Sequence, residues 1–479
     1  MIPYGHKVSL LPFDHFALTA ISPTDGRYRS QLPSSIELFS EFSLIQARVE
    51  VEIKYLLFLA DQRLIPSFSE NDQQQLLDFA ANFDLPAAEA VKTIELTTKH
   101  DVKAVEYYLR QKMQALKIAG DEFLHLALTS EDVNSLAYSI LMMSVQKKIL
   151  VPELKRLLLQ LNTFNQTHAD IPMLARTHGQ AAVPTTVGKE ISNFVMRLLP
   201  EVQDLENLQI EGKLTGAVGN FNAHLVAFPE VNWIVLSQKF VKSLGLEPQL
   251  FTTQIAPVEN FSKLFSNLMR INFILLDLTQ DCWRYISDGY FIQGKDKGQV
   301  GSSTMPQKVN PIDFENSEGN LGLANSLFQH FITKLPISRL QRDLSDSTVK
   351  RHFGTAFALC LLSYKSLQKG FNKIRVDNEL LTKDLNQHWE VLTEAFQVVL
   401  RKSGDSKGYE KLQSLAQGKV ITQQTLVSFI KSVDIDEHAK NQLLGLSPIT
   451  YLGLAPELTK QAVSIINKYL KEDHDTTSS

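Results

Sequence analysis

The sequence predicts an all-α fold, and three observations carry the prediction. Apolar residues recur at spacings of three and four rather than two. Glycine and proline cluster between the periodic segments. The best segment, Leu264, Leu268, Ile271, Leu275, Leu278 and Cys282, alternates four and three like a heptad seam, as a long bundle helix does. In chain order, Leu38, Phe42, Ile45, Val49, Ile53 and Leu56 form a first helical face. Leu150, Leu154, Leu157, Leu161 and Phe164 form a second, and Val187, Ile191, Phe194, Leu198, Val202 and Leu205 a third.

At 479 residues the chain exceeds one small core, and three helical domains are expected. They are an N-terminal helical domain over 1–120, a central long-helix bundle over 121–371 and a C-terminal helical domain over 372–479. The net charge of -4, with 21% charged residues, provides no basic field for nucleic acid or a membrane surface. Two cysteines, Cys282 and Cys360, exclude a disulfide framework and a Cys-rich metal site, and a cytosolic location is expected. The start, MIPYGHKVSLLPFDHF, lacks the basic flank and long apolar core of a secretory signal. No apolar run approaches the ~18 residues of a membrane span.

Chemistry is sought in the loops expected at 178–188 (HGQAAVPTTVG), 294–307 (GKDKGQVGSSTMPQ) and 445–457. The richest stretch is GSSTMPQKVNPIDFENSEGN, residues 301–320. Asn310 followed by Pro311 reads as a helix start, with Asp313 in the first turn where the macrodipole favours negative charge. Composition alone would make this an exposed loop and a capped helix. Lys308, two residues before that start, adds an ammonium to the free N–H groups and the nearby hydroxyls, which is the make-up of an anion site.

GSSTMPQKVNP resembles the signature loop of the fumarase/aspartase superfamily, and IDFENSEGN resembles its adenylosuccinate lyase branch in the bacterial form. SPTDGRYRS (22–30), TTKHDVKAVEYYL (97–109), LTSEDVNS (128–135), MLARTHGQAAVPTTVGKE (173–190) and RLQRDLSDSTVKR (339–351) match in the same order. The resemblance implies an all-α homotetramer with active sites built from three subunits, small-molecule substrates adenylosuccinate and the succinyl-carboxamide ribotide SAICAR, release of fumarate, and no metal or organic cofactor.

That reaction is a β-elimination. It needs a base for a weakly acidic C–H, an acid for the departing nitrogen, and donors for the charge that spreads into a carboxylate. The resemblance assigns the base to Ser302, whose alkoxide the closed loop must stabilise through Lys308, backbone amides or a helix N-terminus. It assigns the acid to His178, whose residue type suits proton transfer near neutral pH. His100 is the second histidine of the family, orienting substrate or sharing the proton transfer, with Asp101 as the partner fixing its tautomer. Glu315 corresponds to the glutamate beside the acid histidine. Thr129, Ser130, Thr177, Ser303, Lys308 and Asn310 correspond to the contacts of the succinyl carboxylates, and Ser130 reads as an N-cap as well. Arg27, Tyr28, Arg342, Ser347 and Arg351 correspond to the phosphate set, for which arginine supplies a rigid fork. Gln254 is placed at the base or succinyl end.

Two departures stand out. Gln307 replaces the histidine of many adenylosuccinate lyases and matches argininosuccinate lyases, and HGQAAVP replaces the commoner HGQPATP. An argininosuccinate lyase has no phosphate to bind, so the arginine set favours the purine branch. A helical scaffold without catalysis would be expected to have lost Ser302 or His178.

Overall fold

The computed structural model describes residues 19–32, 39–294, 305, 307–416 and 420–477. Helices dominate the described residues, and the four apolar faces read from periodicity are where the burial is. Ile45, Val49, Ile53 and Leu56 line the helix Glu41–Asp61 at 2% exposure or less, whereas Leu38 lies outside the described residues. Leu264, Leu268, Ile271, Leu275, Leu278 and Cys282 are all fully buried along the 29-residue helix Glu259–Ser287. The four-three spacing keeps one stripe of that helix turned inward over its whole length.

The chain divides into two compact units. One comprises the residues up to Glu153 with Gln203–Asn272 and Asn320–Ser363; the other comprises Leu154–Val202, Phe273–Gly319 and Tyr364 onward. The division falls inside the helices Val151–Thr167, Val187–Asn207, Glu259–Ser287, Ile312–Lys334 and Phe353–Lys373. Within the first unit, Phe265 stacks on Phe328 at 5.4 Å between ring centroids and meets Phe353 at 5.3 Å. Within the second, Phe164 meets Phe371 at 5.4 Å and Phe291 at 5.9 Å, each edge to face. A separate apolar cluster there joins Leu385, Phe396, Leu400, Leu426 and Ile430 to Leu174.

Two expectations change. Glycines do occur inside long helices. A Cβ on Gly370 would sit 2.8 Å from Phe314, and one on Gly354 would sit 2.6 Å from Phe39, so close packing of a ring, not a turn, explains them. The stretch expected as a loop at 178–188 is mostly strand. Pro172–Thr177 and Gln180–Thr186 pair as an antiparallel hairpin. Two other short ladders occur, Glu211–Lys213 with Glu247–Gln249 in parallel and Phe291–Gln293 with Ile374–Val376 antiparallel. No described helix is long and apolar enough to cross a membrane.

Candidate active site

The first unit brings five of the expected residues, His100, Asp101, Ser130, Gln254 and Arg342, into two hydrogen-bonded sets joined by the chain steps His100–Asp101 and Ser130–Glu131. His100 caps the helix Asp101–Leu116, its Nδ1 accepting the Lys103 N–H at 3.1 Å. A nitrogen that accepts from a backbone donor carries no proton, so the neutral ring is protonated on Nε2, the atom 3.5 Å from Ser130 Oγ. Lys103 therefore fixes the tautomer in place of Asp101, whose carboxylate lies 3.9 Å from Nδ1. Asp101 instead takes the Arg48 guanidinium at 2.7 Å and its neighbour Val102 N–H at 2.8 Å. Burial pushes the Asp101 carboxyl up, but the Arg48 charge and these two bonds outweigh it and hold it below the usual carboxylate range.

Arg48 continues the chain inward. Its side chain is 4% exposed, and Nε donates to Asn134 Oδ1 at 2.9 Å. Asn134 donates to Glu131 Oε1 at 2.8 Å, and Glu131 pairs with Arg342 at 3.0 Å. The other fork of Arg342 reaches Gln254 Oε1 at 3.3 Å. Arg342 is thus no solvated surface charge: at 19% side-chain exposure it is oriented by a buried carboxylate and an amide. Arg351 differs, being 55% exposed with Glu41 at 3.7 Å. It follows the short helix Ser345–Lys350 that contains Ser347, and both have helical backbone. Arg27 and Tyr28 end the helix Pro23–Tyr28, with Arg27 exposed.

Below this group lies a hub that sequence reasoning missed. The N-cap of the helix Ser130–Val145 is Thr129, one residue before the expected Ser130, and its N–H goes to Asp132 Oδ2 at 2.9 Å. Asp132 Oδ1 accepts Lys213 Nζ at 2.5 Å, Thr215 N–H at 3.0 Å and Gly216 N–H at 3.2 Å. Both side chains of the Asp132–Lys213 pair are fully buried. Removing either partner would strand a charge, a cost of roughly 3–5 kcal/mol, so the pair fixes the Thr129–Ser130 end firmly. The segment it organises leads to Ala217, whose carbonyl accepts from Gln254 at 3.1 Å.

The second unit holds a different set. His178 and Gly179 are the two central residues of the hairpin turn, with φ of +53° and +74°. Both being positive gives the mirror-image turn that matches strand twist, an uncommon backbone for a residue with a Cβ. His178 is exposed and its side chain makes no hydrogen bond among the described residues; Thr177 beside it is exposed too. Register shifts between Leu174 and Arg176, a bulge that re-aims the last residues before the turn. Further along, the helix Ile312–Lys334 starts two residues after Asn310. Pro311 takes the cap position, its carbonyl accepting Phe314 N–H at 3.0 Å and Glu315 N–H at 3.1 Å. Asp313 stands in the first turn as expected and pairs with Lys373 at 2.8 Å. Glu315 accepts the Trp283 indole N–H at 3.2 Å. Asn310 is half-buried and Lys308 exposed, its N–H closing a turn to Met305 O at 3.0 Å. Ser302 and Ser303 lie outside the described residues.

Arg48, Asn134, Asp132 and Lys213 were not singled out from sequence. A signal existed for Arg48: it stands three residues after Ile45, and Glu52 three after Val49, so both charges fall on the periodic apolar face itself. A charge on a buried face implies a partner.

Comparison with known proteins gives a consistent picture. A lyase family model matches residues 26–324, and a model of the adenylosuccinate lyase C-terminal region matches 338–452. The chain is 46% identical over 449 residues to the adenylosuccinate lyase of Haemophilus influenzae, covering 93% of this chain and 98% of the relative. It is 43% identical over 444 residues to that of Escherichia coli K12, covering 92% and 97%. A fumarate lyase from Mesorhizobium superposes with a TM-score of 0.74 at 17% identity over 90% of this chain and 97% of its own. A 3-carboxy-cis,cis-muconate lactonizing enzyme from Pseudomonas putida gives 0.75 at 20% over 91% and 97%. At such identity these two speak for the fold alone.

Proposed function

We propose, from the premise that the chain belongs to the adenylosuccinate lyase family of carbon–nitrogen lyases, a division of labour among the residues that carry out its elimination. His178 protonates the departing nitrogen and Ser302 removes the proton from the adjacent succinyl carbon. The C–N bond breaks as the electron pair of that C–H bond forms the double bond of fumarate. Charge that spreads into the succinyl carboxylate is met by Ser130, Thr129, Thr177, Ser303, Lys308 and Asn310. Arg27, Tyr28, Arg342, Ser347 and Arg351 hold the phosphate, Gln254 contacts the base or succinyl end, and His100, with Nε2–H available, orients the substrate. Glu315 acts beside His178, and Asp101 supports the His100 segment through Arg48.

The substrates in this reading are adenylosuccinate, giving AMP, and SAICAR, giving AICAR. The protein works as a cytoplasmic homotetramer with the domain division 1–120, 121–371 and 372–479, and the chemistry needs only a general acid and base. The observation that carries it is that His100 with Ser130, and the adjacent Glu131 with Arg342 and Gln254, fall in one unit, which puts a substrate-orienting histidine and a candidate phosphate fork on neighbouring residues of one segment. The pairing of Arg342 with a buried carboxylate leaves other guanidinium N–H groups available for phosphate oxygens.

The test is fumarate release on adding adenylosuccinate, SAICAR and argininosuccinate in parallel. Turnover of the two purine intermediates alone is expected. Gln307 favours the alternative branch, and turnover of argininosuccinate alone would overturn the phosphate role of Arg342 and Arg351.

A further inference from the structure

The hairpin that presents His178 is held at its root by a polar cluster with no role in the reaction described above. Arg176, two residues before His178 and directly after the bulge, donates from Nη2 to Asp384 Oδ2 at 3.1 Å and to Tyr290 Oη at 3.3 Å. Tyr290 Oη donates in turn to the same Asp384 oxygen. The other Asp384 oxygen faces His388 Nε2 at 3.5 Å, and His388 Nδ1 contacts Glu390 at 2.5 Å. Lys383 and Asp288 line the same recess. Tyr290 is 4% exposed and Asp384 19%, so the three-way contact is shielded on the Tyr290 side. Burial, followed by the Asp384 bond, pushes the Tyr290 hydroxyl up to about 12, which keeps it a donor over the working pH range.

The hairpin has an apolar anchor as well, Leu174, in the cluster with Leu385 and Phe396. Leu174 lies before the bulge; beyond it Ala181, opposite Arg176, adds one methyl to the same cluster, a contact with no directional bond. Arg176 is the one residue between bulge and turn that is bonded by side chain to the rest of the unit among the described residues. We propose that Arg176, Tyr290 and Asp384 form a clamp that sets the aim of the His178 turn, with Tyr290 and Asp384 as positioning residues for the proton donor. A planar fork is needed because one guanidinium must meet a hydroxyl and a carboxylate together. The clamp acts only through His178, so the proposal rests on the acid role given to that residue above.

Tyr290→Phe, Asp384→Asn, the double variant and His178→Gln test it, with adenylosuccinate as substrate. Loss of the clamp lets the turn wander by an ångström or so, which is expected to lower kcat by about 10- to 100-fold. KM should stay within about twofold, because the clamp touches no substrate, and the double variant should be no worse than the weaker single, since both break one unit. A purely structural role would lower the melting temperature without this kcat-only loss. Tyr290→Phe removes a single hydroxyl and keeps the test open if Asp384→Asn does not fold. Unchanged kcat in Tyr290→Phe, with His178→Gln inactive, overturns the clamp and leaves the acid assignment standing. Full turnover by His178→Gln overturns the assignment, and the clamp with it.

Discussion

At the scale of single residues, the first unit is organised around charges placed on the buried face of a helix. Glu52 is fully buried on the helix Glu41–Asp61, and its neutraliser is His125, with Nδ1 2.5 Å from Oε1. Burial lowers the His125 pKa, but the bond to Glu52, its charge and that of Glu106 outweigh burial and Lys103, and the net shift is upward. A raised folded pKa means that the protonated ring contributes stability in full below the unfolded value near 6.5, and that this is lost as pH rises through the folded value. His125→Gln keeps a hydrogen-bond donor without the charge. The gap in melting temperature between the native protein and this variant is therefore expected to be widest below the unfolded value of about 6.5 and to close as pH rises through the raised folded value. A gap that does not change with pH would sink the charge argument. His100 and Arg342 were legible in the sequence because their motifs name them. The partners that join Arg48 to Asp101 and Asn134 were not, because they meet only once three helices pack, and sequence distance hides that meeting.

Among elements, the long helices were legible and the hairpin was not, for a physical reason. A 29-residue helix repeats its stripe many times, so Leu264 to Cys282 leaves no competing period. The strands Pro172–Thr177 and Gln180–Thr186 are short, and their His-Gly turn is not the Asn-Gly pair that announces such a hairpin. Its backbone still makes a demand. Gly179 has φ of +74°, and a Cβ added there would meet nothing within 4 Å, so a substitution brings conformational strain and no clash. Alanine in that region costs about 1–2 kcal/mol. If the turn relaxes to escape the strain, the productive conformer falls about tenfold, since each ~1.4 kcal/mol is tenfold in population. Gly179→Ala is expected to lower kcat by about that factor with little change in KM, whereas Gly179→Asn, a residue that tolerates this backbone, should stay near the native rate. Equal rates for glycine and alanine would mean that the turn is not held in this conformation during turnover.

For the molecule as a whole, the exposed tip of the hairpin is the feature that fold and family explain together. His178 and Thr177 stand exposed, and Glu315 and Lys308 are exposed as well, although each belongs to the proposed chemistry. Proton transfer to a leaving nitrogen gains from exclusion of water. In the homotetramer proposed above, a neighbouring copy covers these groups. Exposed Phe273 (53%) and Leu323 (60%) on the long helices are apolar surface that such copies would bury. The consequence is testable by mixing two inactive variants, His178→Gln and Ser302→Ala, after reversible dissociation. If one site draws its acid and its base from different subunits, some sites in the mixed oligomers contain both native residues, and turnover returns. If both come from one chain, every site carries one defect whatever the mixture, and no turnover returns. Recovery of activity on mixing, absent from either variant alone, is the expected result, and a silent mixture with confirmed subunit exchange would confine the acid and base to a single chain.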